Sequence, residues 1–462
     1  MEKTWLSFWD FIIPPIHLAI IFVVSYILKK KYIQTDPNYK YFQSALFLKI
    51  LGGIGFALIY SFYYPGGDST NYYEGAITLQ KLSFKETFTY FSILGGNLSP
   101  ENHSVFDMET GWPLYYRDPA TFSIVRLASV VSYFSFRSFF SMTIIFSAVS
   151  FAGVWKLFQL FSSLYPQLTN KFAIAILYFP SVLFWGSGVL KDSVTLMAAC
   201  WFTYSFYHIF IKKKEIKNNV ISLVIMAFLM ILIKPYIFIA LMPGTLLWFI
   251  GEKMKDITNW FIKILLGPVT LIAVSAIGIF VMTQLSSSMG EYSSADSVFK
   301  KASESQKDLK QAYYMGNSFD IGEFEPTFQG VMAKFPVAVM AGLYRPYLWD
   351  VKNVVMLLSA IENSILLFFT IMILFKVGVF NTIKHISKTP ILFFSLIFAI
   401  FFAFSVGIST ANFGALVRYR IPCLPFLVAS LFILGDYSNK KIEEDKEEKR
   451  KKIIGLNKKT QV

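Results

Sequence analysis

Apolar runs of about twenty residues recur along nearly the whole chain, each long enough to carry a helix through roughly 30 Å of hydrocarbon. A segment in that medium has no water to satisfy its backbone, so only helices and closed barrels cross it. Barrel strands would alternate apolar and polar residues with period 2, and these runs do not. Charged residues make up 16% of the chain, against about a quarter in a soluble domain. The expectation is an all-α polytopic integral membrane protein with about eleven spans, near 11–28, 44–63, 139–160, 171–189, 193–211, 219–233, 236–251, 260–283, 354–376, 390–408 and 421–436. Residues 1–436 then form one transmembrane domain and 437–462 a charged tail.

A net charge of +14 would point a soluble protein toward nucleic acid. Here the basic residues gather in short connections, where they set orientation, and no nucleic-acid partner is expected. "KKKY" at 29–32, "KKKEIK" at 212–217, "GEKMK" at 251–255, "KHISK" at 384–388 and the tail all fall on one side under this span count. That side is read as cytoplasmic, with the N-terminus outside, in a bacterial inner membrane. The N-terminus has no charged region leading to a small-residue cleavage site and reads as mature chain. Cys200 and Cys423 lie inside apolar runs and read as small buried hydrophobes. Two long segments, 64–138 and 284–353, go to the outer face, where such lengths are usually functional. Within them "FKETFTYFSILG" (84–95), "FSIVRLASVVSYFSF" (122–136) and "KFPVAVMAGLYRPYLWD" (334–350) suit amphipathic helices lying in the interface.

The outer ends carry basic residues that the positive-inside rule should thin out: Arg117, Lys191, Lys234, Arg345, Arg418 and Arg420. Any one of them fits ordinary snorkelling to lipid phosphate. Six on one face fit a bound anionic headgroup better, because arginine bonds phosphate oxygens in a bidentate fork. Lys49, near the inner end of the second span, reads as a snorkelling lysine.

Facing that set is Asp68 in "YYPGGDSTNYYEGA", Tyr63 to Ala76. One reading is an N-cap for the helix that follows, with Asn71 and Glu74 at capping-box-like spacing. The other is a working carboxylate, which takes a proton from an acceptor hydroxyl or binds a divalent cation such as Mg or Mn through oxygen. Tyr72 and Glu74 are secondary candidates in the same stretch. Asp118 and Asp192 are either further carboxylates or ion-pair partners of Arg117 and Lys191. Glu362 lies inside a span, where an acid is costly and either marks function or bonds a neighbouring helix. His17, His103, His208 and His385 are dispersed and make no zinc-type cluster. Walker and Rossmann fingerprints are absent from the sequence, as is an internal repeat of the transporter kind.

An early loop with an aspartate before aromatics, "GGDSTNYY", resembles the first-loop acidic motif of the GT-C glycosyltransferases, polytopic enzymes that use polyprenyl-phosphate sugars. "RSFFSMTIIFSAVS" (137–150), "FAIAILYFPSVLFWGSGVLKDSVTL" (172–196), "ILIKPYIFIALMP" (231–243) and "VRYRIPCLPFL" (417–427) are similar to that family's later spans. The resemblance implies a GT-C-like fold and transfer of a sugar from a polyprenyl-phosphate-linked donor to a glycan, lipid or protein acceptor. Asp68 would be base or metal ligand, and Lys191, Lys234, Arg345, Arg418 and Arg420 would hold the lipid phosphate. The chain departs from the family in an extra span before the aspartate loop and in having no large soluble domain after the last span. An O-antigen-type polymerase shares the phosphate clamp, and a lipid-linked oligosaccharide flippase is the alternative from a different class.

Overall fold

The computed structural model describes residues 8–64, 66–255, 295–309, 311, 318–439 and 441. The expected span at 260–283, part of the second long segment and most of the tail lie outside the described residues. The chain opens with α1 (Trp9–Tyr32) and α2 (Phe42–Tyr63), lays α3 (Asp68–Lys85) and α4 (Pro119–Phe134) over their far end, and returns through α5 (Phe139–Leu164). Then come α6 (Lys191–Lys212), α7 (Ile216–Ile233) and α8 (Pro235–Lys255). The last part holds α9 (Phe335–Tyr344), α10 (Val354–Val377), α11 (Val379–Lys388), α12 (Pro390–Ser409) and α13 (Phe413–Asn439). All but α3, α4, α9 and α11 are long and apolar enough to cross a membrane, which gives nine such helices among the described residues. The protein is a multi-pass, all-α membrane protein.

The stretch 171–189 is not the continuous span its hydropathy suggests. It runs as a helical turn (Thr169–Phe172), a wide turn (Ala173–Leu177), a short helix (Pro180–Phe184) and then irregular chain to Lys191. Pro180 has no N–H to give and forces Phe179 into an extended conformation (ψ 123°), so the helix cannot run through. Such a break survives in a membrane only where other groups satisfy its backbone. Here Lys49 Nζ donates to the carbonyls of Val182 (2.9 Å) and Gly186 (2.7 Å), and Ser150 Oγ donates to Gly186 as well (2.9 Å). Glu362 accepts the Ser181 N–H at 2.8 Å and its hydroxyl at 2.5 Å. An acid at the start of the short helix and a lysine at its carbonyls also match its dipole. Lys49 is therefore buried, not snorkelling, and Glu362 bonds a neighbouring segment.

The expected interfacial helices form but bury more than an interface would. α4 packs its Val125 side chain against Gly75 of α3, and Phe122, Ile124 and Ala128 are fully buried. α9 lies along α12 at backbone distance: a Cβ on Gly342 would stand 2.1 Å from the Ala403 carbonyl oxygen, and one on Gly407 2.0 Å from that of Ala338. Small residues allow such approach, and close packing is the main attraction between helices in lipid.

Alternation of the spans gathers two sets of loops. The basic segments at 29–32, 212–217, 251–255 and 384–388 come to one end: the Phe210 and Phe249 rings lie 5.9 Å apart, Gly251 packs against Pro390, His385 stacks on Tyr437, Gln167 Nε2 donates to Asp436, and the Tyr41 hydroxyl donates to Asn170. The starts of α3, α6, α8 and α13 come to the other.

Candidate functional site

Asp68 begins α3, and the turn before it explains its position. Gly67 has φ of 157°, and a Cβ there would sit 2.7 Å from Tyr60 Cε1, so only glycine lets the turn lie against the aromatic end of α2. Thr70 does the capping: its hydroxyl accepts the Gly67 N–H (2.9 Å) and donates to the Gly67 carbonyl (2.8 Å). The Asp68 carboxylate itself caps nothing: both its oxygens are bonded to side chains from elsewhere in the chain.

The carboxylate turns instead to a residue 350 positions away. Its Oδ2 accepts Arg418 Nη2 at 2.7 Å and its Oδ1 accepts the Tyr115 hydroxyl at 3.3 Å. Asn71 Nδ2 steadies that hydroxyl at 3.0 Å. Arg418 Nε lies 3.2 Å from Asp192 Oδ2, and Asp192 Oδ1 pairs with Lys234. Lys234 Nζ also stands 4.3 Å above the Tyr419 ring. Lys191 Nζ donates to the Thr121 hydroxyl at 2.9 Å, and that hydroxyl donates to Asp118. The Asp118 carboxylate meanwhile accepts the Thr121 N–H at 3.1 Å and so caps α4.

The network therefore joins Asp68, Asp192, Lys191, Lys234 and Arg418, with Asp118 reached through Thr121. Two pairings expected from sequence differ. Asp118 caps a helix and does not pair with Arg117, which is exposed. Asp192 pairs with Lys234 and Arg418, not with its neighbour Lys191. Tyr72 is buried beside Asp68 and Arg418, while Glu74 sits well round α3 from Asp68. Arg345 is held elsewhere by a bidentate pair with Asp350 (3.1 and 3.0 Å). Arg420 is fully buried and donates to the carbonyls of Leu343 (2.8 Å) and Arg345 (3.0 Å) and to Asn363, so it ties α9 to α13. The contributions of Tyr60, Tyr115, Thr121 and Tyr419 were not read from sequence; aromatic clustering around "GGD" was the only signal for them.

Burial grades the members. Asp192 and Lys234 keep 2% and 6% of their side chains exposed and Arg418 11%, whereas Asp68 keeps 34%. Asp68 is the most exposed of these four. Burial pushes its carboxyl up, but Arg418, Lys191 and the Tyr115 hydroxyl together outweigh that and hold it below its ordinary value. Tyr115 and Tyr72 move upward, chiefly through burial, with the Asp68 charge adding to it. Asp68 and Asp192 balance Arg418 and Lys234. Lys191 makes no ion pair among the described residues; the Asp118 carboxylate reaches it only through the Thr121 hydroxyl, and the Asp68 charge acts on it without contact.

These side chains suit an anion better than a divalent cation. Both buried-site carboxylates already accept cationic donors, and three positive groups surround them. No group of three Asp, Glu, His or Cys side chains among the described residues could hold a metal. Protein-family models, curated proteins and solved structures give no match to this chain.

Proposed function

We propose that this protein is a glycosyltransferase that moves a sugar from a polyprenyl-phosphate-linked donor to an acceptor hydroxyl. The positive-inside rule, applied to the basic end, supports an outer-face location for the site. The observation that supports the reading is the contrast at the site: Lys191, bonded directly to a hydroxyl and to no carboxylate, stands in the field of a part-exposed, ionised Asp68. The first suits a phosphate and the second suits a hydroxyl that must lose its proton.

In the reaction the acceptor oxygen bonds to the anomeric carbon, and the carbon–oxygen bond to phosphate breaks with its electron pair leaving on the phosphate. The acceptor proton passes to Asp68 and then to solvent. Lys191 and Arg418 take up the charge that develops on the departing phosphate. Arg418 then has two clients. Once phosphate shares its guanidinium, Asp68 loses part of the pull that holds its carboxyl low and becomes a stronger base. A transporter would need charged groups along a path through the membrane. The deep pair, Lys49 and Glu362, is instead occupied by the backbone of the broken crossing.

The test is turnover in a membrane preparation with a synthetic polyprenyl-phosphate sugar. Asp68→Asn is expected to lower it by about 10²–10⁴-fold, the usual worth of a positioned base. Near-normal turnover with the variant in the membrane would remove Asp68 from the chemistry.

A further inference from the structure

Away from this site, on the lateral face formed by α1, α3 and α4, lies a groove of about 430 Å³. Its walls are Trp9 and Ile13 of α1, Phe84 of α3, and Tyr133 and Phe136 at the end of α4, with Gln80 and Arg137 at its polar end. Phe136 and Arg137 are consecutive residues in the left-handed region, with φ of 51° and 58°. Neither is glycine, and a side chain in that region crowds its own backbone, so the turn is strained. The turn is pinned by the Tyr73 hydroxyl, which donates to the Arg137 carbonyl at 2.6 Å. Strain of this sort persists where the surroundings hold it, and often where a ligand meets the chain. Arg137 Nε donates to Gln80 Oε1 at 2.6 Å, and the guanidinium makes no ion pair among the described residues. Asp10, close by, is turned to the Ser138 hydroxyl (2.6 Å) and the Phe140 N–H (3.3 Å) at the start of α5.

We infer that this groove binds an acidic phospholipid taken sideways from the bilayer, with its phosphate on Arg137 and an acyl chain along Trp9, Ile13 and Phe84. Three features select that occupant. The guanidinium offers a forked donor set to phosphate, and a neutral amide partner leaves its charge unspent. The walls are aromatic and aliphatic, with Trp and Tyr of the kind that line membrane interfaces. The groove also runs onto the outward face of α1, where Ile16, Ile20 and Val24 are at least half exposed and face hydrocarbon.

The test is native mass spectrometry of the full chain purified with equimolar phosphatidylglycerol and phosphatidylcholine of matched chains. Wild type is expected to retain phosphatidylglycerol preferentially, and Arg137→Gln to lower that retention by roughly tenfold, as loss of a charge-assisted pair does. Phe84→Gln, at the exposed rim, should weaken retention of both lipids and keeps the inference testable if Arg137→Gln does not fold. Lys81→Gln, which removes a neighbouring charge outside the groove, should change nothing. Equal retention of the two lipids, no retained lipid, or an unaffected Arg137→Gln would overturn the inference. So would release of the bound lipid by millimolar inorganic phosphate, which would make this a site for free anions.

Discussion

Asp192 illustrates what single residues decide here. It follows Lys191 directly, yet successive helical residues point about 100° apart and do not face one another. Asp192 therefore turns inward to Lys234 and Arg418, and Lys191 is left to reach Thr121. The rare charges were legible in the sequence, because basic residues at span ends on one side are conspicuous; their partners were not, because rotation about each helix decides them. Removing one member of a buried pair strands the other, so Asp192→Asn should cost about 3–5 kcal/mol of stability. Pairing it with Lys234→Met should recover part of that loss in thermal unfolding. Asp68 gives a pH prediction. Its carboxyl is lowered in the fold, so the bond to Arg418 stabilises the protein above the ordinary carboxylate range. That contribution disappears as pH falls through the lowered value. Activity should hold down to below about pH 4. Arg418→Gln leaves burial to dominate and should move the acid limb upward; an unmoved limb would mean that Arg418 does not set the state of Asp68.

At the scale of elements, the interrupted crossing is the part that hydropathy misreads. An average over "FAIAILYFPSVLFWGSGVLKD" scores as a span, although Pro180, Gly186 and Gly188 already mark a break. What no local rule supplies is the repair, made by a lysine on α2 and a glutamate on α10 that are far off in sequence. Lys49→Met should strand the Val182 carbonyl and leave Gly186 with Ser150 alone, at about 1–3 kcal/mol per unsatisfied group. A thermal shift in detergent checks this, and an unchanged midpoint would show the lysine to be dispensable there. The contact of α9 with α12 depends on absent side chains. Gly407→Val places carbon where the Ala338 carbonyl already stands and should abolish folded yield, whereas Ser405→Ala on the exposed face of α12 should not.

For the whole molecule, composition and apolar run length gave the class, and the count of basic loops anticipated which ends meet. Residues 29–32, 212–217, 251–255 and 384–388 do share one end, opposite the charged network. If that end is cytoplasmic, a cysteine at Lys253 should react with an impermeant maleimide only after the membrane is opened. A cysteine at Asn97 should react in intact cells. The most direct test of the proposed chemistry is mass spectrometry of cell-surface glycans from a strain deleted for this gene. It would be complemented with wild type or with Asp68→Asn, each verified in the membrane. A glycan short by one sugar in both the deletion and the Asp68→Asn strain is the predicted result. Single unpolymerised repeat units would mean a polymerase, and a full-length profile in both strains would contradict a role in sugar transfer.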